Sequence, residues 1–233
     1  MEHHSHNLIS PLTAILLGFS GILGSLVLFF GDMLFYYNGA QTDFIANMSV
    51  VSSERIIISG ISALISAWLY TLASGQIYFA FQPAKKWIRL TVFLSFLAVM
   101  IAFGVVHAAY IAIATSAKNA AEFGVTPNTL TELAISANNA LRLLAYIPFG
   151  IFSILFVTTV WAKNTYYPRW LILFSPIIPF LLSDIIVSNL EGEIKAIVGG
   201  GYLNLILLLF FSCSTFALWR NKIKTEVKLQ AQP

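Results

Sequence analysis

Six apolar runs, each close to the thickness of a lipid bilayer, constrain this chain more than any other feature. A helix rises about 1.5 Å per residue and the hydrocarbon layer is roughly 30 Å thick, so about 20 apolar residues make one crossing. Leu12 to Phe30, Ile56 to Phe81, Ile88 to Ala114, Leu143 to Trp161, Trp170 to Val187 and Ile197 to Leu218 all approach that length, and the stretches between them are short and polar. Of 233 residues, 58% are hydrophobic and 10% are charged. A soluble domain carries about 25% charged residues, so this chain has too few to cover a water-facing exterior. The expectation is an all-α polytopic bundle of six transmembrane helices, forming one integral membrane domain over residues 1–233. Disordered, collagenous, disulfide-scaffold and nucleic-acid-binding classes are excluded. The one cysteine, Cys213, rules out an intramolecular disulfide.

Orientation follows from the basic residues, because cytoplasmic loops hold an excess of Lys and Arg. One set of faces carries nine of them: Lys85, Lys86, Arg89, Lys163, Arg169, Arg220, Lys222, Lys224 and Lys228. The opposite set carries four: Arg55, Lys118, Arg142 and Lys195. The split places both termini in the cytoplasm, and most of the acids fall outside. Trp87, Trp161, Trp170 and Trp219 stand at the cytoplasmic ends of the spans, where amphipathic rings favour the headgroup layer. His3, His4 and His6 read as a cloning remnant or a solvated tail rather than as a metal site.

Two outer loops carry local signals. In the first, Asn38-Gly39 marks a turn, Ser52-Ser53-Glu54 can cap the second span, and Asn47-Met48-Ser49 matches a glycosylation sequon. In the second, Thr126-Pro127 breaks the chain and Thr129-Leu130-Thr131-Glu132 has capping-box spacing, so a helix should start there and lead into the fourth span. Ala14, Gly18, Gly21 and Ser25 form a small-residue stripe on the first span, and Ser59, Ser62, Ser66 and Ala73 form one on the second, where backbones can approach closely. Pro148, Pro176 and Pro179 should kink the fourth and fifth spans.

Ionisable residues within hydrocarbon are costly and mark function by default. His107 lies roughly 28 Å along its span, at about the height of Asp32; Asp184 lies about 21 Å beyond Trp170, and Asn204 about 13 Å in from Lys195. One outer layer therefore collects Asp32, Arg55, His107, Arg142, Asp184 and Asn204 as candidate ligand or ion residues, with Asp184 the foremost and Arg142, Arg55, His107 or Asn204 as its expected partner. Interfacial caps and ion pairs account for such a layer, as do a transporter's relay, an anion site on Arg55 and Arg142, or a metal held by Asp32, His107 and Asp184. No H-E-x-x-H, G-x-S-x-G or Walker spacing supports an enzyme.

Gly31-Asp32-Met33-Leu34 closing the first span, Pro168-Arg169-Trp170 opening the fifth, and the glycine-rich start of the sixth make the layout similar to small bacterial six-span inner-membrane proteins of unknown function. That resemblance implies a bacterial cytoplasmic membrane location and no activity. Seven-span hydrolases of the alkaline ceramidase type differ, because they surround zinc with several His while one intramembrane His occurs here. The resulting expectation is a multi-pass integral membrane protein of unassigned activity with an outward-facing polar cluster. A small-solute or ion transporter or a ligand-binding receptor is the first alternative, and a metal-dependent intramembrane hydrolase the second. No cofactor is implied. The expected partners are the bilayer and a small ligand reaching the site from the outer face.

Overall fold

The computed structural model describes residues 10–39, 43–124 and 129–230, with side chains given as far as Lys222. The N-terminal histidines and the Thr126-Pro127 break lie outside the described residues. α1 (Pro11–Tyr36) starts where Ser10 caps it, its hydroxyl accepting from the Thr13 N–H at 3.1 Å. It continues to Tyr36, past the expected end at Phe30. The Asn38-Gly39 signal becomes a turn with Gly39 at φ +64°, a conformation open to glycine. Beyond it, Asp43 caps the short α2 (Phe44–Val50) by accepting from the Ala46 N–H at 3.0 Å. α3 (Ser53–Ala80) is capped by Ser52 as the sequence predicts, with Glu54 exposed in its first turn.

α4 (Lys86–Glu122) has 37 residues and so runs about 55 Å, well beyond one bilayer. α5 (Thr129–Trp161) is continuous through Pro148, so the expected leading helix and the fourth span are one element. α8 (Gly192–Gln230) contains the sixth expected span. The fifth differs. Trp170 to Val187 is no single helix but a 3-10 segment (Arg169–Phe174) followed by α6 (Ile177–Leu181) and α7 (Ser183–Ser188). Pro168, Pro176 and Pro179 each lack an N–H and fix φ, which stops a regular helix that hydropathy alone allows. Among the described residues, five helices, α1, α3, α4, α5 and α8, are long and apolar enough to cross a membrane.

The broken stretch nevertheless travels the length of the bundle. At its start, the Tyr166 carbonyl accepts from the Asn221 side chain at 2.9 Å and the Tyr166 N–H donates to Ala80 O at 2.8 Å. Further on, Pro179 O accepts from the Tyr202 hydroxyl at 2.8 Å, and Val187 lies beside Gly199. The stretch thus runs antiparallel to α8, from the end that holds Ala80 to the end that holds α2.

The long helices pack side by side in the order α8, α1, α3, α4, α5, and the 3-10 segment touches both α5 and α8. Small residues set the spacing. A Cβ on Gly18 would collide with Gln76 and Thr215, one on Gly21 with the Phe211 ring, and one on Gly104 would stand 2.8 Å from Ala67 Cβ. An aromatic core of Phe81, Phe96, Phe152, Phe156, Phe210, Phe211 and Tyr167 fills the half nearest Ala80. Outward, Leu12, Leu16, Phe19 and Leu23 on α1 and Ile57, Ile61, Leu64, Trp68 and Leu72 on α3 are exposed at helical spacing. Water could not solvate such stripes cheaply, and together with the helix lengths they mark a membrane protein.

Candidate functional site

The buried stripe of α1 continues past Ser25 through Leu28 to Asp32, which is 7% exposed, and this position makes the carboxylate an interior group. Two helices bond it directly and a third bonds those partners. His107 of α4 places Nδ1 3.0 Å from Asp32 Oδ1. Asn204 of α8 donates through Nδ2 to Asp32 Oδ2. Tyr70 of α3 donates to Asn204 Oδ1 at 3.3 Å. Ser59 of α3 donates to Gly31 O at 2.6 Å and lies 3.0 Å from His107 Nε2. Phe35, fully buried, covers the imidazole at a ring distance of 5.3 Å.

These bonds determine where the hydrogens sit. Ser59 has one hydroxyl hydrogen, directed at the Gly31 carbonyl, so its oxygen must accept from His107, and Nε2 carries a hydrogen. The contact between Nδ1 and Oδ1 then requires one more proton, held either by the imidazole or by the carboxyl. In both arrangements the pair sums to zero charge. Asp32 has both oxygens engaged, so the cluster is satisfied rather than strained.

On one side the cluster faces a cavity of about 140 Å³, whose wall also includes Tyr36, Tyr110 and Arg142. The half-buried Arg142 side chain makes no hydrogen bond or close ion pair among the described residues, and its charge is felt at Asp32 and Tyr36 across the cavity. Its guanidinium also borders a wider space of about 410 Å³ beside Asp43, Asn138 and Asn139, at the end of the bundle that holds α2. The two spaces share Tyr36, Tyr110 and Arg142 in their walls.

The structure unites three of the six candidates around one point, Asp32, His107 and Asn204, and places Arg142 on the same cavity wall. Arg55 lies elsewhere: its guanidinium donates to Met33 O at 3.0 Å and Tyr37 O at 2.9 Å, closing the C-terminal end of α1. A cation at that end of a helix meets unpaired carbonyls and the negative pole of the helix dipole. Asp184 is exposed in the first turn of α7, away from the cluster, and Asn204, one of its expected partners, bonds Asp32 instead. The fifth span breaks before Asp184, so a depth counted along an unbroken helix does not hold.

Asp32 and His107 supply two donors that bond each other, and no group of three or more His, Cys, Asp or Glu suited to a metal occurs among the described residues. The sequon residue Asn47 is fully buried, with its amide donating to Tyr36 O at 2.7 Å, so it offers no surface to a glycosylating enzyme. Ser59 and Tyr70 were not among the candidates. Ser59 belongs to the small-residue stripe on the span facing α1, and that was the available signal.

A family of unknown function, DUF6796, has a model that matches residues 7–221. The chain belongs to the DUF6796 family. No curated protein and no solved structure matches it. The matched DUF6796 region contains every residue of the cluster as well as Arg142, and it carries no assigned activity.

Proposed function

We propose that this protein is a six-pass membrane protein with both termini in the cytoplasm, and that its outer half binds a small ligand. The carrying observation is the cavity of about 140 Å³ into which Arg142 faces beside the neutral His107–Asp32 pair. The broken stretch from Arg169 to Ser188 is the sixth pass. It runs the bundle's length against α8, and its Pro179 carbonyl is satisfied by Tyr202 rather than left to lipid. The basic segregation supports the orientation: the start of α1 lies at the same end as Lys85, Lys163, Arg169 and Arg220, and α8 reaches that end at Asn221.

Transport is the second reading. A separate buried cluster lies on the inner half of the same helices, where Gln76 donates to Thr215 at 3.0 Å and accepts from Ser214 at 2.9 Å. Between the two clusters, Tyr70 stacks on Phe211 at 6.1 Å, so a conducting state requires these rings to part. Untargeted lipid and metabolite identification on the purified protein tests the binding reading. A compound retained by wild type and lost from Arg142→Gln supports it. Equal profiles overturn it, and uptake into proteoliposomes without retention favours transport.

A further inference from the structure

The polar cavity has an apolar neighbour, and the offset has the same sense on each helix that walls it. On α4, His107 and Tyr110 face the cavity and Phe96, Val99 and Met100 face the neighbouring groove. α4 leads from the basic end outward, so its lower numbers lie deeper. On α5, which runs the other way, Arg142 faces the cavity and Phe149 and Phe152 the groove; on α8, Asn204 is followed by Leu207. Phe103, Ala145, Tyr146 and Leu203 border both spaces, so the two adjoin as a cleft with a polar outer head and an apolar inner tail separated by no more than these side chains. From Arg142 to Phe152 the cleft extends roughly 15 Å along α5. The groove is narrow and almost wholly apolar, at about 60 Å³ too small for two chains side by side.

Charge narrows the head. His107 and Asp32 share a proton and sum to zero, so among the described residues on the wall of the 140 Å³ cavity Arg142 carries the one uncompensated charge; Asp43, the ionised cap of α2, borders the wider space instead. A carboxylate matches one guanidinium in both charge and fork geometry. A phosphomonoester brings about −1.5 to −2 and overcompensates.

We propose that the cleft binds a single-chain lipid with a carboxylate head, the carboxylate on Arg142 and the chain along Phe149 and Phe152. This assignment rests on the outward-facing ligand pocket proposed above. The test uses the full chain in phosphatidylcholine nanodiscs with two photoreactive probes, a diazirine-bearing palmitic acid and the corresponding palmityl alcohol. The acid should label peptides of α5 and α8 that line the groove. Arg142→Gln should lower acid labelling about tenfold and leave alcohol labelling unchanged, and Ala145→Trp should block both probes at an unchanged melting temperature. Equal labelling by acid and alcohol in wild type, acid labelling unaffected by Arg142→Gln, or label confined to outward residues such as Ile57 and Ile61 overturns the proposal. Displacement of the acid by lower concentrations of lysophosphatidic acid also overturns it, in favour of a phosphate head.

A second arm separates this failure from failure of the pocket. In a Cys213→Ser background, Ala145→Cys should react with a membrane-impermeant maleimide added from outside. Reaction without acid capture removes the lipid and leaves the pocket. No reaction removes the pocket, and the lipid with it.

Discussion

Two arginines of similar apparent promise in the sequence serve different ends. Arg55 spends its donors on the carbonyls of Met33 and Tyr37, whereas Arg142 faces a cavity. Hydrogen bonds from a charged donor contribute about 1.5–3 kcal/mol, so Arg55→Gln should lower stability by an amount in that range without changing ligand retention. Arg142→Gln should do the reverse. Melting curves and ligand analysis on both variants check this, and loss of ligand from Arg55→Gln at unchanged Tm would reverse the assignment. The buried pair is also open to test. Removing either partner leaves an uncompensated polar group, so Asp32→Leu and His107→Leu should each cost about 3 kcal/mol or more, and the double variant less than the sum. Additive losses would mean that the two groups do not interact.

At the level of elements, the small-residue stripes were legible because close helix approach demands them: Ala14, Gly18, Gly21 and Ser25 are all buried, as are Ser59, Ser62, Ser66 and Ala73. Gly21 packs against the Phe211 ring at the α1–α8 contact. Gly21→Val should therefore destabilise the protein by about 1–3 kcal/mol, measured by thermal unfolding, with a larger effect than Gly150→Ala, where a Cβ meets nothing within 4 Å. The stretch from Trp170 to Val187 has the hydropathy of a span and not its form, since apolar content carries no information about missing N–H donors. Its contact with α8 through Tyr202 predicts that Tyr202→Phe costs about 1 kcal/mol. A variant as stable as wild type would mean that the Pro179 carbonyl finds another donor.

For the whole molecule, orientation is the quantity that sequence charge and bundle geometry address jointly. In a Cys213→Ser background, Glu122→Cys should react with an impermeant reagent added to intact cells and Lys85→Cys should not; the opposite pattern would invert the topology. Residue types and their spacing alone determined that the chain is helical and apolar enough for a membrane, and that its basic residues gather at one end, because these follow from hydrocarbon thickness, helical rise and the positions of Lys and Arg. They could not choose among partners within the outer layer. Counting along unbroken helices puts Asp32, Arg55, Arg142 and Asp184 at similar heights, a count that fails for Asp184, and height along a helix says nothing about rotation around it or about which neighbour it faces. The packing order α8, α1, α3, α4, α5 turned Asp32 toward His107 and Asn204, gave Arg55 to the end of α1, left Asp184 on the surface and opened the cavity beside Arg142. Those are contacts between residues far apart in the chain, and only tertiary structure decides them.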